Sequence, residues 1–267
     1  GQAREFQIFK TDVVTPSFRE FHERLQTFIL FFIDAASFID IDDEKWMFYV
    51  LFEKYMHDGC PAFAVVGYMT VYKYYAYPEK IRPRLSQFLI LPPFQRQGHG
   101  AHLLQTFYND MMGRSEVLDI TVEDPSENFQ RLRDFVDAHN CQKLASFQPE
   151  SLLKGFSESM AAEAQSKLKL SKRQARRVYE ILRLKITDES NVEMYRQYRL
   201  DVKRRLNAPF QRSWRDFQKL ERALHAEELA QTMSCMTPEQ RHLVLEKSFQ
   251  DHVQIYRHVL DRLAAAS

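Results

Sequence analysis

Glycine is scarce in this chain, with seven among 267 residues, so two falling close together mark a demand on the backbone. Cysteine is scarcer. The three, at 60, 141 and 235, are odd in number, far apart and without a CxxC pair, which argues against a disulfide framework or a zinc site and leaves ordinary thiols. No apolar run is long enough to span a bilayer. The longest candidate, FILFFIDAASFI, is broken by Asp34 and reads as a core helix. There is no initiator Met, no basic segment leading into a secretory apolar run, no internal repeat and no low-complexity linker. The chain is therefore expected to be soluble and intracellular, and to begin inside a longer protein.

What is present suffices for a core: 45% of residues are hydrophobic and 13% aromatic, enough for one large domain or two of ordinary size. Net charge is only +1, but it is unevenly spread. Residues 1–166 hold 16 Lys/Arg against 23 Asp/Glu, residues 167–222 hold 17 against 7, and the remainder 4 against 6. An acidic first part followed by a basic helical part points to two units with different electrostatic roles, or to solvated helix faces in both.

The periodicities divide the chain the same way. EFQIFKTDV alternates as a strand, and FREFHERLQTFILFFIDAASF carries helical spacing after Pro16 and Ser17. KWMFYVLFEKY and AFAVVGYMTVYKYYAY flank Asp58-Gly59 as a hairpin, and RLSQFLIL is a strand stopped by Pro92-Pro93. AHLLQTFYNDMM is a helix, VLDITV a short buried strand, and SENFQRLRDFVDAH a helix capped by Ser126. From about Ser151 only helical patterns follow: KRQARRVYEILRL, VEMYRQYRLDVKRRL, WRDFQKLERAL and the stretch from Pro238. The expectation is an α+β domain over 1–150 and an all-α domain over 151–267.

Two of the seven glycines, Gly98 and Gly100, stand between a strand and a helix. That arrangement presents backbone N–H groups and a helix N-terminus to an anion, with phosphate the obvious guest. A Walker loop needs a following Lys and a dinucleotide fingerprint needs a third glycine where Leu103 stands, so neither fits. A tight turn with no ligand stays open on this evidence. So does the role of Glu123 and Asp124 in TVEDPS at a strand end: a general base beside its neighbour, or a capping segment with Glu123 exposed. The clustered Asp40, Asp42, Asp43 and Glu44 suit a basic peptide. Alternating Tyr72 and Tyr74 around Lys73 can line a groove or simply pack.

Gln95-Arg96-Gln97-Gly98-His99-Gly100 fits the pattern [R/Q]xxGx[G/A] and so resembles the GNAT superfamily of acetyl-CoA-dependent acyltransferases. FREFHERLQTF, ASFIDIDDEKW, VGYMTVYKYYAYP, RPRLSQFLIL, PFQRQGHGAHLL, LDITVEDPSE, RLRDFV and ARRVYEILRL together resemble, over essentially the whole chain, the catalytic subunit of the type B histone acetyltransferase. The resemblance implies a GNAT fold with a mixed, splayed sheet and an N-terminal domain that this chain lacks. It implies that Gln95, Arg96, Gln97, Gly98, His99, Gly100 and Ala101 hold the coenzyme A pyrophosphate. Phe88, Leu89 and Ile90 would border the pantetheine, with Asn128 near the coenzyme and His99 a chemical bystander.

Among acids, the resemblance gives proton abstraction to Glu123 and Asp124 with a third carboxylate at Asp34, where family members carry Glu. Tyr72, Lys73 and Tyr74 would touch the substrate, the tail of newly made core histone four. Acetyl-CoA is the co-substrate, no metal is needed, and a WD-repeat histone chaperone is the usual companion, in nucleus and cytoplasm. Neither direct nucleic-acid binding nor a membrane is expected. A histone-binding module without turnover and a small-amine acetyltransferase are the rival readings.

Overall fold

The computed structural model describes residues 4–34, 36–221 and 237–266. They form two compact units, one from residues 1–146 with 157–178, the other from 147–156 with 179–267.

The first unit is built on a five-stranded sheet in the order β1 (Glu5–Asp12), β2 (Trp46–His57), β3 (Cys60–Ala76), β4 (Lys80–Ile90), β5 (Thr121–Val122). The first four strands are antiparallel neighbours and β5 runs parallel to β4, so the sheet is mixed. Runs such as WMFYVLF and AVVGYMTVY form strands because β-branched and aromatic side chains suit a pleated surface buried on both faces. The β2–β3 hairpin closes through Asp58 and Gly59, both at positive φ as a two-residue I′ turn requires.

Alternation sends Met47, Tyr49, Leu51, Met69, Val71 and Leu85 to one face, against Leu103, Leu104, Phe107 and Tyr108 of α3 (His99–Met112) and Val136 of α4 (Glu127–Cys141). The other face sends Phe48, Val50, Tyr68 and Leu89 against Phe18 and Leu25 of α1 (Phe18–Leu25) and Ile29 of α2 (Ile29–Phe32). α4 starts on Ser126, whose hydroxyl accepts from the Phe129 N–H at 3.3 Å, as its sequence suggested.

The apolar run after Pro16 departs from the expected long core helix. It breaks into α1, a 3₁₀ turn over Gln26–Phe28 and the single turn α2, and Ile33 is already extended. Of α2 only Ile29 is buried, while Leu30, Phe31 and Phe32 are 55%, 75% and 46% exposed. A run apolar on every side has no single face to bury, and the sheet accommodates one side of it. VLDITV likewise pairs as a strand only at Thr121 and Val122, with single bridges from Val117 to Ile81 and from Ile120 to Leu170.

This unit also holds α6 (Glu158–Leu168) and the first half of α7 (Lys172–Ile186). Buried Asp134 of α4 binds the Arg177 Nε at 2.7 Å and the Gln174 amide at 3.0 Å, so a buried carboxylate ties α4 to α7. The second unit comprises α5 (Pro149–Leu153), the rest of α7, α8 (Val192–Glu221) and α9 (Pro238–Ala265). Tyr195, Tyr198 and Phe249 cluster between α8 and α9, and buried Glu180 takes both Arg205 and the Tyr256 hydroxyl. Several residues of the basic stretch are thus engaged in ion pairs, Lys203 with Glu246 among them. WRDFQKLERAL continues α8 as far as Glu221, and its last residues lie outside the described ones.

Candidate active site

Two parallel strands end at the same edge of a sheet, and here they also part. β5 pairs with β4 only at Arg84–Thr121 and Leu85–Val122, with one further bond from the Glu123 N–H to the Leu85 carbonyl at 2.9 Å. β4 continues to Ile90. From Ser86 onward no described strand lies on that side of it. The gap opens at Glu123, the first residue past β5.

A bulge in β4 sets the side chains at this point. Thr70 faces Gln87 but Val71 faces Leu85, so Ser86 is the extra residue. A bulge of this kind puts two successive side chains on one face and commonly re-aims them beside a site. Ser86 donates its hydroxyl to Glu123 Oε2 at 2.7 Å. Gln87, buried, donates to the Ser37 carbonyl at 2.9 Å and pins the segment after α2 over the same face. Glu123 is exposed, as is Asp124, which turns the chain out of β5 at φ +29, a conformation uncommon for any residue but glycine.

Beyond Ile90, a 3₁₀ turn over Pro92–Phe94 leads into the loop. Gln95 donates back to the Ile90 carbonyl at 2.8 Å and Gln97 to the Pro93 carbonyl at 2.9 Å, so both amides shape the loop itself. Arg96 and Gly98 have φ of +59 and +89, and Gly98 is the N-cap of α3. No side chain caps that helix, and its first intrahelical bond to a carbonyl outside it runs from the His102 N–H to Gly98. The N–H groups of His99, Gly100 and Ala101 are therefore the orphan donors of a helix N-terminus. That donor set fits a pyrophosphate.

The two glycines differ in what they do. A Cβ on Gly98 would meet nothing within 4 Å, so its demand is conformational. A Cβ on Gly100 would stand 3.2 Å from Leu132 and 3.6 Å from Phe88, so this glycine lets α3 pack close to α4 and β4 and its missing Cβ points inward. His99 is buried against the Phe6 ring at 4.3 Å, and burial lowers its pKa. Phe88 and Ile90 face α3 and α4, with Phe88 5.0 Å from Phe129, while Leu89 belongs to the opposite core. Asn128 is exposed in the first turn of α4.

On the face that carries Glu123, Tyr72 packs edge-on against Trp46 at 5.0 Å and beside Tyr74 at 4.6 Å. Its hydroxyl donates to Asp43 Oδ2 at 2.8 Å, which raises the Tyr72 pKa. The Lys45 N–H and this hydroxyl together hold the Asp43 carboxyl below its usual value. Asp42 is paired with Arg19, so part of the acidic loop is neutralised locally. Lys73 alternates to the face opposite Tyr72 and Tyr74, and the three do not line one surface. Asp34 is exposed just past the end of α2. Among the described residues no group of three or more His, Cys, Asp or Glu is arranged to hold a metal, and no helix is long and apolar enough to cross a membrane.

Comparison with known proteins bears on this geometry. Residues 133–184 match the family model described as the C-terminal part of the histone acetyltransferase type B catalytic subunit. Residues 1–34 match the model of the N-terminus of the same enzyme. The human histone acetyltransferase type B catalytic subunit is 54% identical over 264 residues, which are 99% of this chain and 63% of that protein. Over nearly its whole length the chain is similar to the family of type B histone acetyltransferase catalytic subunits. The mouse member of that family is also 54% identical, over 99% of this chain and 64% of its own length, and the member from Mycosarcoma maydis is 41% identical over 76% and 47%. The chain thus spans less than two thirds of the relatives it matches. Among solved structures, an aminoglycoside acetyltransferase from a soil metagenomic sample aligns at 17% identity and a TM-score of 0.35, covering 48% of this chain and 83% of its own.

Within the family's α+β GNAT fold, mixed sheet and helical extension, sequence reasoning missed Ser86 and Gln87. The one available signal was the break in alternation inside RLSQFLIL, where Leu85 and Phe88 share a face although an odd number of steps separates them.

Proposed function

We propose that this chain transfers the acetyl group of acetyl-CoA to lysine ε-amines in the N-terminal tail of newly synthesised core histone four. One observation carries the reading. Glu123 stands one row past the Leu85–Val122 pair, level with Ser86 and five residues short of the turn at Leu91 that opens the glycine loop. At ~3.3 Å per residue that is about 17 Å along an unpaired strand edge, the reach of an extended pantetheine arm between a thioester and a pyrophosphate.

In this reading acetyl-CoA, as co-substrate, supplies the activated acetyl group. The N–H groups of His99, Gly100 and Ala101 take the pyrophosphate, and the open edge of β4 over Phe88, Leu89 and Ile90 takes the arm. The chain's remaining task is a proton. A free lysine, pKa about 10.4, is neutral at pH 7 in roughly one molecule in a few thousand, a handicap of about 4–5 kcal/mol. Glu123 accepts that proton at Oε1 while Oε2 is held by Ser86. The amine then attacks the thioester carbonyl directly in a ternary complex, the acyl C–S bond breaks as the amide forms and coenzyme A leaves as its thiolate, with Asp124 and Asp34 keeping the surroundings acidic. Tyr72 and Tyr74 supply flat apolar surface for the tail, residues 1–150 carry the catalysis and residues 151–267 the helical extension. A WD-repeat histone chaperone is the proposed companion, in nucleus and cytoplasm.

The test is coenzyme A release with acetyl-CoA and a histone four tail peptide, beside the same peptide with arginine for lysine and a spermidine control. Lysine-dependent release is expected. Tight peptide binding without release would favour a binding module, and release on spermidine alone a small-amine acetyltransferase.

A further inference from the structure

Arg82 and Arg84 stand two residues apart on one face of β4, and their surroundings differ. Arg82 is paired through Nε and Nη2 with Asp119. Arg84 pairs with no carboxylate among the described residues, and its guanidinium lies over the Tyr74 ring, 4.5 Å from the centroid. The side chain is half-buried. Stacking on an aromatic ring fixes the plane of a guanidinium without using its N–H donors. The result is a preoriented cationic fork of donors with no carboxylate partner among the described residues.

Its position is as telling as its state. The ladder partners of Arg84 are Tyr72 on β3 and Thr121 on β5. Thr121 precedes Glu123 by two residues, and alternation puts Arg84, Thr121 and Glu123 on the same face. The row of Arg84 is thus about 7 Å from the row of Glu123 at ~3.3 Å per residue, which is two residues of an extended peptide. Of the nearer polar groups, Ser86 is engaged with Glu123, Gln87 with Ser37 and Tyr72 with Asp43, while the Thr121 hydroxyl, buried and without a hydrogen-bond partner among the described residues, carries no charge.

We infer that Arg84 is a specificity-determining residue of the proposed acetyl transfer: its donors take a backbone carbonyl of the peptide within two residues of the acceptor lysine, and its charge selects against a cationic side chain there. This rests on the acetyltransferase reading.

The experiment uses single-lysine peptides bearing Gln, Glu or Arg at one or two positions before or after the lysine, with kcat and KM measured for the wild type, Arg84→Gln and Arg84→Lys. With the wild type, Glu over Arg at one of these positions should raise kcat/KM roughly tenfold, the scale of one charge pair at this range near a surface. Arg84→Gln should bring that ratio within about twofold of unity. It should also raise KM on the Gln-flanked peptide about tenfold with kcat nearly unchanged, as loss of a charged donor to a carbonyl does. Arg84→Lys should keep the charge ratio and lose the KM, and it decides the matter if Arg84→Gln does not fold. A ratio unchanged in Arg84→Gln, or a KM unchanged in Arg84→Lys, would overturn the assignment while leaving the acetyltransferase reading intact. No turnover of any peptide by the wild type would overturn both.

Discussion

Replacing Glu123 by Gln isolates the proton from everything else the residue does. The backbone bond from residue 123 to Leu85 is untouched, and an amide oxygen can still accept from Ser86. Because the side chain is exposed, stability should change by no more than about 0.5 kcal/mol. What is lost is the base. With general-base contributions typically ~10²–10⁴-fold, kcat at pH 7 should fall at least ~100-fold. The pH profile carries a sharper signature. Without a base the rate follows the free amine, which rises roughly tenfold per pH unit below a pKa of about 10.4, so the deficit should narrow steadily between pH 7 and 9. Stopped coenzyme A release at saturating acetyl-CoA reads both quantities, with Asp34→Asn beside it expected to lose less because its carboxylate is exposed and outside the Ser86–Glu123 pair. Near-normal turnover of Glu123→Gln at pH 7, or a deficit that stays constant with pH, would refute the assignment of the proton to this residue.

Two further outcomes follow from local geometry. Gly98→Ala should lower unfolding free energy by about 1–2 kcal/mol, the cost of a left-handed backbone for an L-residue, since at φ +89 its Cβ would meet open space; urea melts showing no change would contradict this. His22, fully buried among Phe18, Phe48 and Tyr68, has its pKa pushed down to about 4 by that burial. The unfolded chain takes the proton first, near 6.5, so the stability due to neutral His22 is complete above that pH and is lost progressively as pH falls toward 4, by roughly 3 kcal/mol in all. His22→Phe should flatten that part of the stability–pH curve, and an unchanged slope would place the acid sensitivity elsewhere.

The parts of the fold that depend on local chemistry were legible in the residues. Asp58-Gly59 made its turn, Pro92-Pro93 stopped its strand and Ser126 capped its helix, because each acts on the backbone within a few residues. The acids and the glycine loop were legible as motifs. The break at Gln26–Phe28 was not, because which side of an all-apolar run is buried depends on the sheet it meets. Nor was the inward role of Gly100, since Leu132 lies 32 positions along the chain. Tyr72 and Lys73 are neighbours in sequence and opposites in space, a distinction alternation offers only once the strand is known to be regular.

The extra residue at Ser86 is also a phase boundary. Up to Leu85 the even-numbered residues of β4 share the face of Glu123, and from Gln87 the odd-numbered ones do. Deleting any one residue between Arg82 and Ser86 would restore an unbroken alternation, but it would send the charged half of the strand to the core or leave Glu123 without its hydroxyl donor. A single-residue insertion or deletion, harmless in most surface loops, is therefore a discontinuous change at this point. The strand can drift in composition far more easily than in length.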